Sequence, residues 1–178
     1  MIVNLFHALP KIISTKRLTM VRTTLAHSPA LFKIWSDSEV AEYMNIEKFT
    51  TVLQAEEMIK AINAEPAACR YTIFLNKEII GSLGINEINS LDNTIEIGYE
   101  LAKPFWKKGY MTELLTGFLS EIESSLPYKG VFAKVLPDNS ASILLLEKLG
   151  FQLENQTEEL DLYTKKVCTI FIYKLYFK

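Results

Sequence analysis

One stretch limits what this chain can fold into more than any other: a basic, glycine-containing loop set between a strand pattern and a long helix pattern. Residues 103–113 read Lys-Pro-Phe-Trp-Lys-Lys-Gly-Tyr-Met-Thr-Glu. The preceding residues, 94–101, are β-rich and alternate. The following residues, 111–126, place Met111, Leu114, Leu115, Phe118, Leu119, Ile122 and Leu126 on one face at helical spacing, and Pro127 stops them. Residues 130–136 are then short and apolar, as a central strand is. A strand–helix–strand unit makes the two strands parallel with a right-handed crossover. A short loop entering a helix also aims backbone N–H groups at an anion, and the helix dipole adds partial positive charge. Lys107 and Lys108 place formal charge beside it. The loop therefore reads as a grip for the pyrophosphate of a coenzyme. The plainer reading is a strand-to-helix connection with a solvated lysine pair.

The flanking chain surrounds this unit with antiparallel strands. Residues 15–23 alternate, with Leu18 and Met20 on one face, and predict a first strand. Residues 1–14 are apolar and suit a short strand or a docked arm. Ser28 before Pro29 predicts a helix start with the stripe Leu31, Ile34 and Trp35. Asp37 or Ser38 caps a second short helix, and Thr50 or Thr51 a third, with Val52, Ala55, Met58, Ile59 and Ile62 on one face. Residues 70–75, 78–88 and 94–101 form a meander, with Gly81 and Gly84 marking close backbone approach or a bulge. Asn139 or Asp138 caps a last helix that Gly150 closes. Residues 151–155 begin a strand, 156–165 read as a loop or strand end, and 166–176 form a long final strand. No repeat or linker divides the 178 residues, so the expectation is one domain over 1–178 with residues 1–14 as an N-terminal arm.

Composition removes several function classes. A net charge of −2 argues against bulk electrostatic binding of nucleic acid. Cys69 and Cys168 lie far apart and form no metal or disulfide pattern, and His7 and His27 are too few for a histidine metal site. No metal is expected. The apolar start lacks a basic leader region and is broken by Pro10, and no run approaches a membrane span. The expected location is the cytoplasm, away from membranes.

Three motifs in register resemble the GNAT acyltransferases, in the RimJ/RimL-like ribosomal-protein branch. Trp106-Lys107-Lys108-Gly109-Tyr110-Met111 resembles the family's acetyl-CoA loop, Q/R-x-x-G-x-G/A. Asn139-Ser140-Ala141-Ser142 running to Leu146-Glu147-Lys148-Leu149-Gly150-Phe151 is similar to the branch's N-x-x-S…LEKLGF signature. Thr15-Lys16-Arg17-Leu18, then Trp35 to Val40 and Tyr43-Met44, looks like its opening. The resemblance implies an α+β GNAT fold: a mixed, mostly antiparallel sheet of about seven strands, helices on both faces, and a V-shaped splay between the fourth and fifth strands. It departs at Lys107, where glycine is common, and at Met111. If Lys107 adopts φ > 0 it carries a backbone cost. Otherwise its ammonium adds a phosphate contact.

The resemblance implies acetyl-CoA as co-substrate. Tyr99 and Leu101 would pair with its pantetheine, residues Trp106, Lys107, Lys108, Gly109, Tyr110, Met111 and Thr112 would hold its pyrophosphate, and Asn139 and Ser142 would flank it. The tyrosine that many family members carry before the E-K-x-G-F ending is Leu146 here. Delivery of a proton to the thiolate must then fall to Ser142, Tyr99, Tyr110 or water. Ser142 is the leading candidate, against a packing or capping hydroxyl. Glu96 and Glu100 lie on one strand face with Gly98 between them, leaving room for an acceptor, and Glu87 can reach the same face. Each is a candidate base, against the commoner salt-bridged carboxylate. At pH 7 an α-amine is roughly 10–15% neutral and a lysine amine about 0.04%. A chain with no strongly tuned base therefore suits an N-terminal α-amine attacking directly in a ternary complex. The alternatives are a small-molecule acetyltransferase acting on polyamines or antibiotics, and a non-catalytic acyl-CoA-sensing or protein-interaction module. A homodimer is common in the branch.

Overall fold

The structure is a computed structural model that describes residues 4–178. Residues 1–3 of the expected arm lie outside the described residues. Among the described residues, eight strands form one open sheet: β1 (Ile12–Ser14), β2 (Leu18–Arg22), β3 (Cys69–Leu75), β4 (Glu78–Asn89), β5 (Thr94–Leu101), β6 (Gly130–Val135), β7 (Gln152–Asp161) and β8 (Lys166–Tyr176). Their order is β1-β2-β3-β4-β5-β6-β8-β7. Every pairing is antiparallel except β5 with β6, the two strands joined through the helix that follows the basic loop.

Two expectations about strands change. The sheet has eight strands rather than seven because Ile12–Ser14 folds back on Thr19–Val21. The arm is thus both a strand and a docked segment. Ahead of β1, Leu5 N donates to Pro66 O at 2.9 Å, and Phe6 and Leu9 are buried. The second change is that β7 runs on to Asp161, leaving only residues 162–165 as a turn. Nearly all of its side chains are exposed, so its sequence carries no inside–outside alternation. Its ladder to β8 makes it a strand.

The helices are α1 (Ser28–Trp35), α2 (Ser38–Ala41), α3 (Val52–Ala64), α4 (Tyr110–Ser125) and α5 (Ser140–Lys148). Their starts are set locally. Asp37 accepts from Glu39 N at 3.0 Å, Thr51 and Gln54 form a reciprocal capping box, and Asn139 accepts from Ser142 N at 3.3 Å. Ser28 is not the cap expected of it. The helix already includes it, and its hydroxyl donates to Leu25 O at 2.7 Å. Gly150, at φ +92°, ends the last helical segment as expected.

Apolar stripes decide the layers. Leu114, Leu115, Phe118 and Ile122 of α4 and Leu146 of α5 join the main core with Tyr71, Leu83, Ile95 and Ile97 of the sheet. Leu31, Ile34 and Trp35 of α1 form a second cluster with Ala55 and Ile59 of α3. Phe118 is fully buried, its ring edge-on to Tyr71 at 5.6 Å between centroids. Phe118→Ala removes this plug and leaves a cavity, so urea unfolding is expected to show a loss of about 3–5 kcal/mol.

Candidate active site

β5 and β6 pair only over Thr94–Glu96 and Gly130–Phe132, and then part. The opening is the mouth of a cavity of about 1240 Å³. Ala102 N donates to Ile80 O at 2.8 Å, while Leu101 and Tyr99 stand opposite Gly81 and Leu83. Backbone groups of an antiparallel strand alternate between its two neighbours. Those of Tyr99 and Leu101 therefore turn away from β4, toward the gap that β6 has left.

The basic loop closes one end of this gap. Trp106 Nε1 donates to Leu101 O at 2.7 Å, which folds the loop back on the end of β5. Lys107 has φ +58° and Gly109 φ +76°. The first alternative for Lys107 holds, at a backbone cost of about 1–2 kcal/mol for a non-glycine residue. α4 starts at Tyr110 behind a glycine, with no side chain capping its first turn. The N–H groups of that turn thus face the cavity without a side-chain acceptor, the arrangement an anion needs. Met111 packs on the core, and Lys108 and Thr112 line the cavity. Behind the loop, Glu113 accepts from Thr15 Oγ1 at 2.6 Å, Arg17 N at 2.7 Å and Arg17 Nε at 2.6 Å. Arg17 also donates to Lys108 O at 3.2 Å and stacks over Tyr110. The Thr15–Arg17 motif is therefore a brace for the loop.

Across the gap, Tyr99 OH and Ser142 Oγ lie 2.7 Å apart. This contact joins β5 to the first turn of α5. Burial pushes the Tyr99 phenol up to about 12, with the Ser142 hydrogen bond opposing. Asn139 spends its carbonyl oxygen on the α5 cap and lines the cavity beside Ser142.

The carboxylates separate into two environments. Glu100 is buried and saturated: it accepts from Arg70 Nη2 at 2.6 Å, from Trp35 Nε1 at 2.8 Å and from Ser82 Oγ. Glu96 also lines the cavity, 13% exposed, with Asn86 Nδ2 at 3.3 Å and Lys134 Nζ at 3.7 Å. Burial pushes its carboxyl up to about 7. Lys134 and Asn86 oppose this, and Glu87 and Glu159 add to it. The room expected at Gly98 for an acceptor is already taken. A Cβ there would meet Asn86 Nδ2 at 2.7 Å, so the glycine accommodates the Asn86 amide. Glu87 reaches the same face, 3.4 Å from Lys134.

The sequence profile described as "Acetyltransferase (GNAT) domain" matches residues 17–152. The chain belongs to the GNAT acetyltransferase family. The "Uncharacterized N-acetyltransferase p20" of Bacillus licheniformis is 36% identical over 166 residues, covering 90% of this chain and 93% of that protein. Among solved structures, the RimL ribosomal L7/L12 α-N-protein acetyltransferase in complex with coenzyme A superposes with a TM-score of 0.83. It is 20% identical and covers 93% of this chain and 97% of that one. Mycobacterium smegmatis RimJ in complex with a CoA disulfide superposes at 0.84, is 16% identical and covers 95% and 88%. In this GNAT domain the candidate residues, Glu100 included and Glu87 excepted, border one cavity.

Sequence reasoning missed Asn86, Lys134 and Glu159. Asn86 is hidden by a β-bulge between Ile85 and Glu87 that re-aims it. Glu159 sat in a segment read as loop, although it approaches Lys134 at 3.0 Å. Arg70 and Glu100 are 6% and 5% exposed. Glu100→Gln leaves the Arg70 charge buried and uncompensated, and is expected to destabilise the fold by about 3 kcal/mol in denaturant titrations.

Proposed function

We propose that this GNAT enzyme transfers the acetyl group of acetyl-CoA to a protein or peptide N-terminal α-amine. The observation that carries the reading is the arrangement about β5. The Tyr99–Ser142 hydroxyl pair closes one side of the splay, and Glu96 stands on the opposite face of the same strand. One strand thus separates a proton-donating side from a proton-accepting side. The loop of Lys107 to Thr112 fits a pyrophosphate through its backbone amides, with Lys108 adding charge. The backbone of Tyr99 and Leu101 suits the pantetheine, and Asn139 flanks it. Acetyl-CoA supplies an activated thioester whose sulfur leaves as the amine nitrogen bonds to the acyl carbon. RimL and the Salmonella typhimurium acetyltransferase carry names for N-terminal acetylation of ribosomal protein L7/L12, and RimL and RimJ were solved with coenzyme A or its disulfide, which supports this donor and this acceptor class.

Roles follow from position. Ser142, hydrogen-bonded to Tyr99, delivers a proton toward the departing sulfur. Glu96 takes the proton that the amine must lose. The expectation of no strongly tuned base gives way here, because burial raises the Glu96 carboxyl to about 7, and that value suits an α-amine near 7.7–8.0, since acid and base then differ little in proton affinity. Glu100 takes no part in proton transfer, because Arg70, Trp35 and Ser82 hold its oxygens.

Free-thiol release from acetyl-CoA tests the reading. Peptides beginning with Ala, Ser or Met are expected to turn over faster than polyamines or aminoglycosides. Preference for a small amine would reassign the acceptor. Tight acetyl-CoA binding with no acceptor-dependent release across the panel would make the protein a sensor. Ser142→Ala is expected to lower kcat by about 10²-fold, with little change in acetyl-CoA affinity. An unchanged kcat would reduce Ser142 to a structural hydroxyl. The base must be ionised, so kcat/KM is expected to rise as pH increases through about 7. Glu96→Gln removes that bend. If Glu159→Gln removes it instead, Glu159 is the base.

A further inference from the structure

Glu96 has surroundings that its proposed role does not require, and they point to a residue that acts through it. β4 pairs regularly with β5 as far as Ile85 opposite Ile97, and then shifts so that Glu87 stands opposite Glu96. Asn86 is the extra residue of this bulge. Bulges turn a side chain out of the regular alternation. Here the turned amide lies over β5 at Gly98, where a Cβ would meet its Nδ2 at 2.7 Å. Its two ends face different partners. Oδ1 accepts from Arg70 Nη1 at 3.4 Å, and Nδ2 donates to Glu96 Oε1 at 3.3 Å.

The polarity of that amide is set from below. Arg70 is buried, and its other nitrogens are committed: Nε donates to Ser82 Oγ at 2.8 Å and Nη2 to Glu100 Oε2 at 2.6 Å. Glu100 is held in turn by Trp35 Nε1 at 2.8 Å. A guanidinium can only donate, so the group facing it must be an acceptor. This forces the Asn86 oxygen toward Arg70 and its N–H toward Glu96. The reverse orientation would place N–H against N–H.

We propose that Asn86 is a positioning residue for Glu96: the buried Arg70–Glu100 pair orients its amide, and the amide N–H holds the Glu96 carboxylate at the cavity and favours its ionised form. The proposal deepens the assignment of Glu96 as the proton acceptor and rests on it for its catalytic consequence. Other charged groups also face Glu96: Lys134 from β6 at 3.7 Å, Glu87 from β4, and Glu159 from β7, the last two each paired to Lys134, at 3.4 Å and 3.0 Å. Lys134 is thus shared among three carboxylates. Asn86 is the neutral donor to Glu96 and does not share its N–H with Glu87 or Glu159.

Two measurements separate the proposal from the role of Glu96. The first follows the Glu96 side-chain carboxyl by ¹³C NMR titration in the full-length protein, assigned by its disappearance in Glu96→Gln. Asn86→Ala removes the donor and is expected to raise the Glu96 midpoint by about one pH unit. Asn86→Asp is expected to raise it further, because it replaces the donor with a second negative charge. Gly98→Ala pushes the Asn86 amide aside with its own side chain intact, and is expected to raise it as Asn86→Ala does. A midpoint that moves in none of the three overturns the proposal, whatever the kinetics show. The second measurement is the pH profile of kcat/KM. With the midpoint moved up by one unit from about 7, activity of Asn86→Ala at pH 7 is expected to fall about fivefold and to recover at pH 9. A loss equal at all pH values would mark Asn86 as merely structural and overturn its positioning role. A profile unaffected in Glu96→Gln while the NMR midpoint moves in Asn86→Ala would remove Glu96 as the base and keep the Asn86–Glu96 coupling.

Discussion

The parting of β5 from β6 is the constraint on which the remaining structure depends. Three residues of parallel pairing are enough to set the crossover, with α4 between the two strands. Beyond them, β5 presents backbone groups that no neighbouring strand takes up. Buried backbone polar groups without partners are costly, so such a gap persists only where something else can satisfy them. Trp106 does so at Leu101 O, from the loop that follows. The same contact folds the loop across the end of the gap, where α4 starts. The basic loop and the open sheet are therefore one device.

The two faces of β5 carry different chemistry because one strand alternates. Ile95, Ile97, Tyr99 and Leu101 point toward the main core, and the Tyr99 hydroxyl meets Ser142 at its edge. Glu96 and Glu100 point to the other face, where Glu100 meets Trp35 of α1 and Glu96 meets Asn86 and Lys134. A strand five residues longer than its pairing with β6 can place a hydroxyl pair and a carboxylate either side of a thin wall. Two carboxylates on one face would ordinarily behave alike. Here they do not, because Glu100 reaches the buried Arg70 and Glu96 does not. Arg70, Trp35 and Ser82 hold the oxygens of Glu100, while burial pushes the Glu96 carboxyl up to about 7.

The loop, the α4 stripe and the caps at Asp37, Thr51 and Asn139 were legible because each depends on residues a few positions apart. So was the meander, whose strands alternate. β7 was only half legible. Its side chains lie in solvent on both faces, and strand character there comes from pairing with β8. The bulge at Asn86 was invisible for a related reason. Nothing in Ile-Asn-Glu-Ile marks a shift in register, which arises from matching β4 to β5. Gly98 was read correctly as a place needing space and wrongly as to what fills it. A glycine records that a neighbour approaches, while the identity of the neighbour depends on the paired strand.

The sequence by itself determined the order of the elements, the basic glycine loop ahead of α4 and the family to which the motifs belong. These follow from local periodicity, caps and a glycine flanked by lysines, all written within short windows. Only the tertiary structure decided which carboxylate Arg70 holds, that Tyr99 and Ser142 touch, and that Thr15 and Arg17 brace the loop through Glu113. These contacts join residues from 43 to 98 positions apart. Their existence depends on the register of a folded sheet, and register is a property of the assembled strands rather than of any one of them.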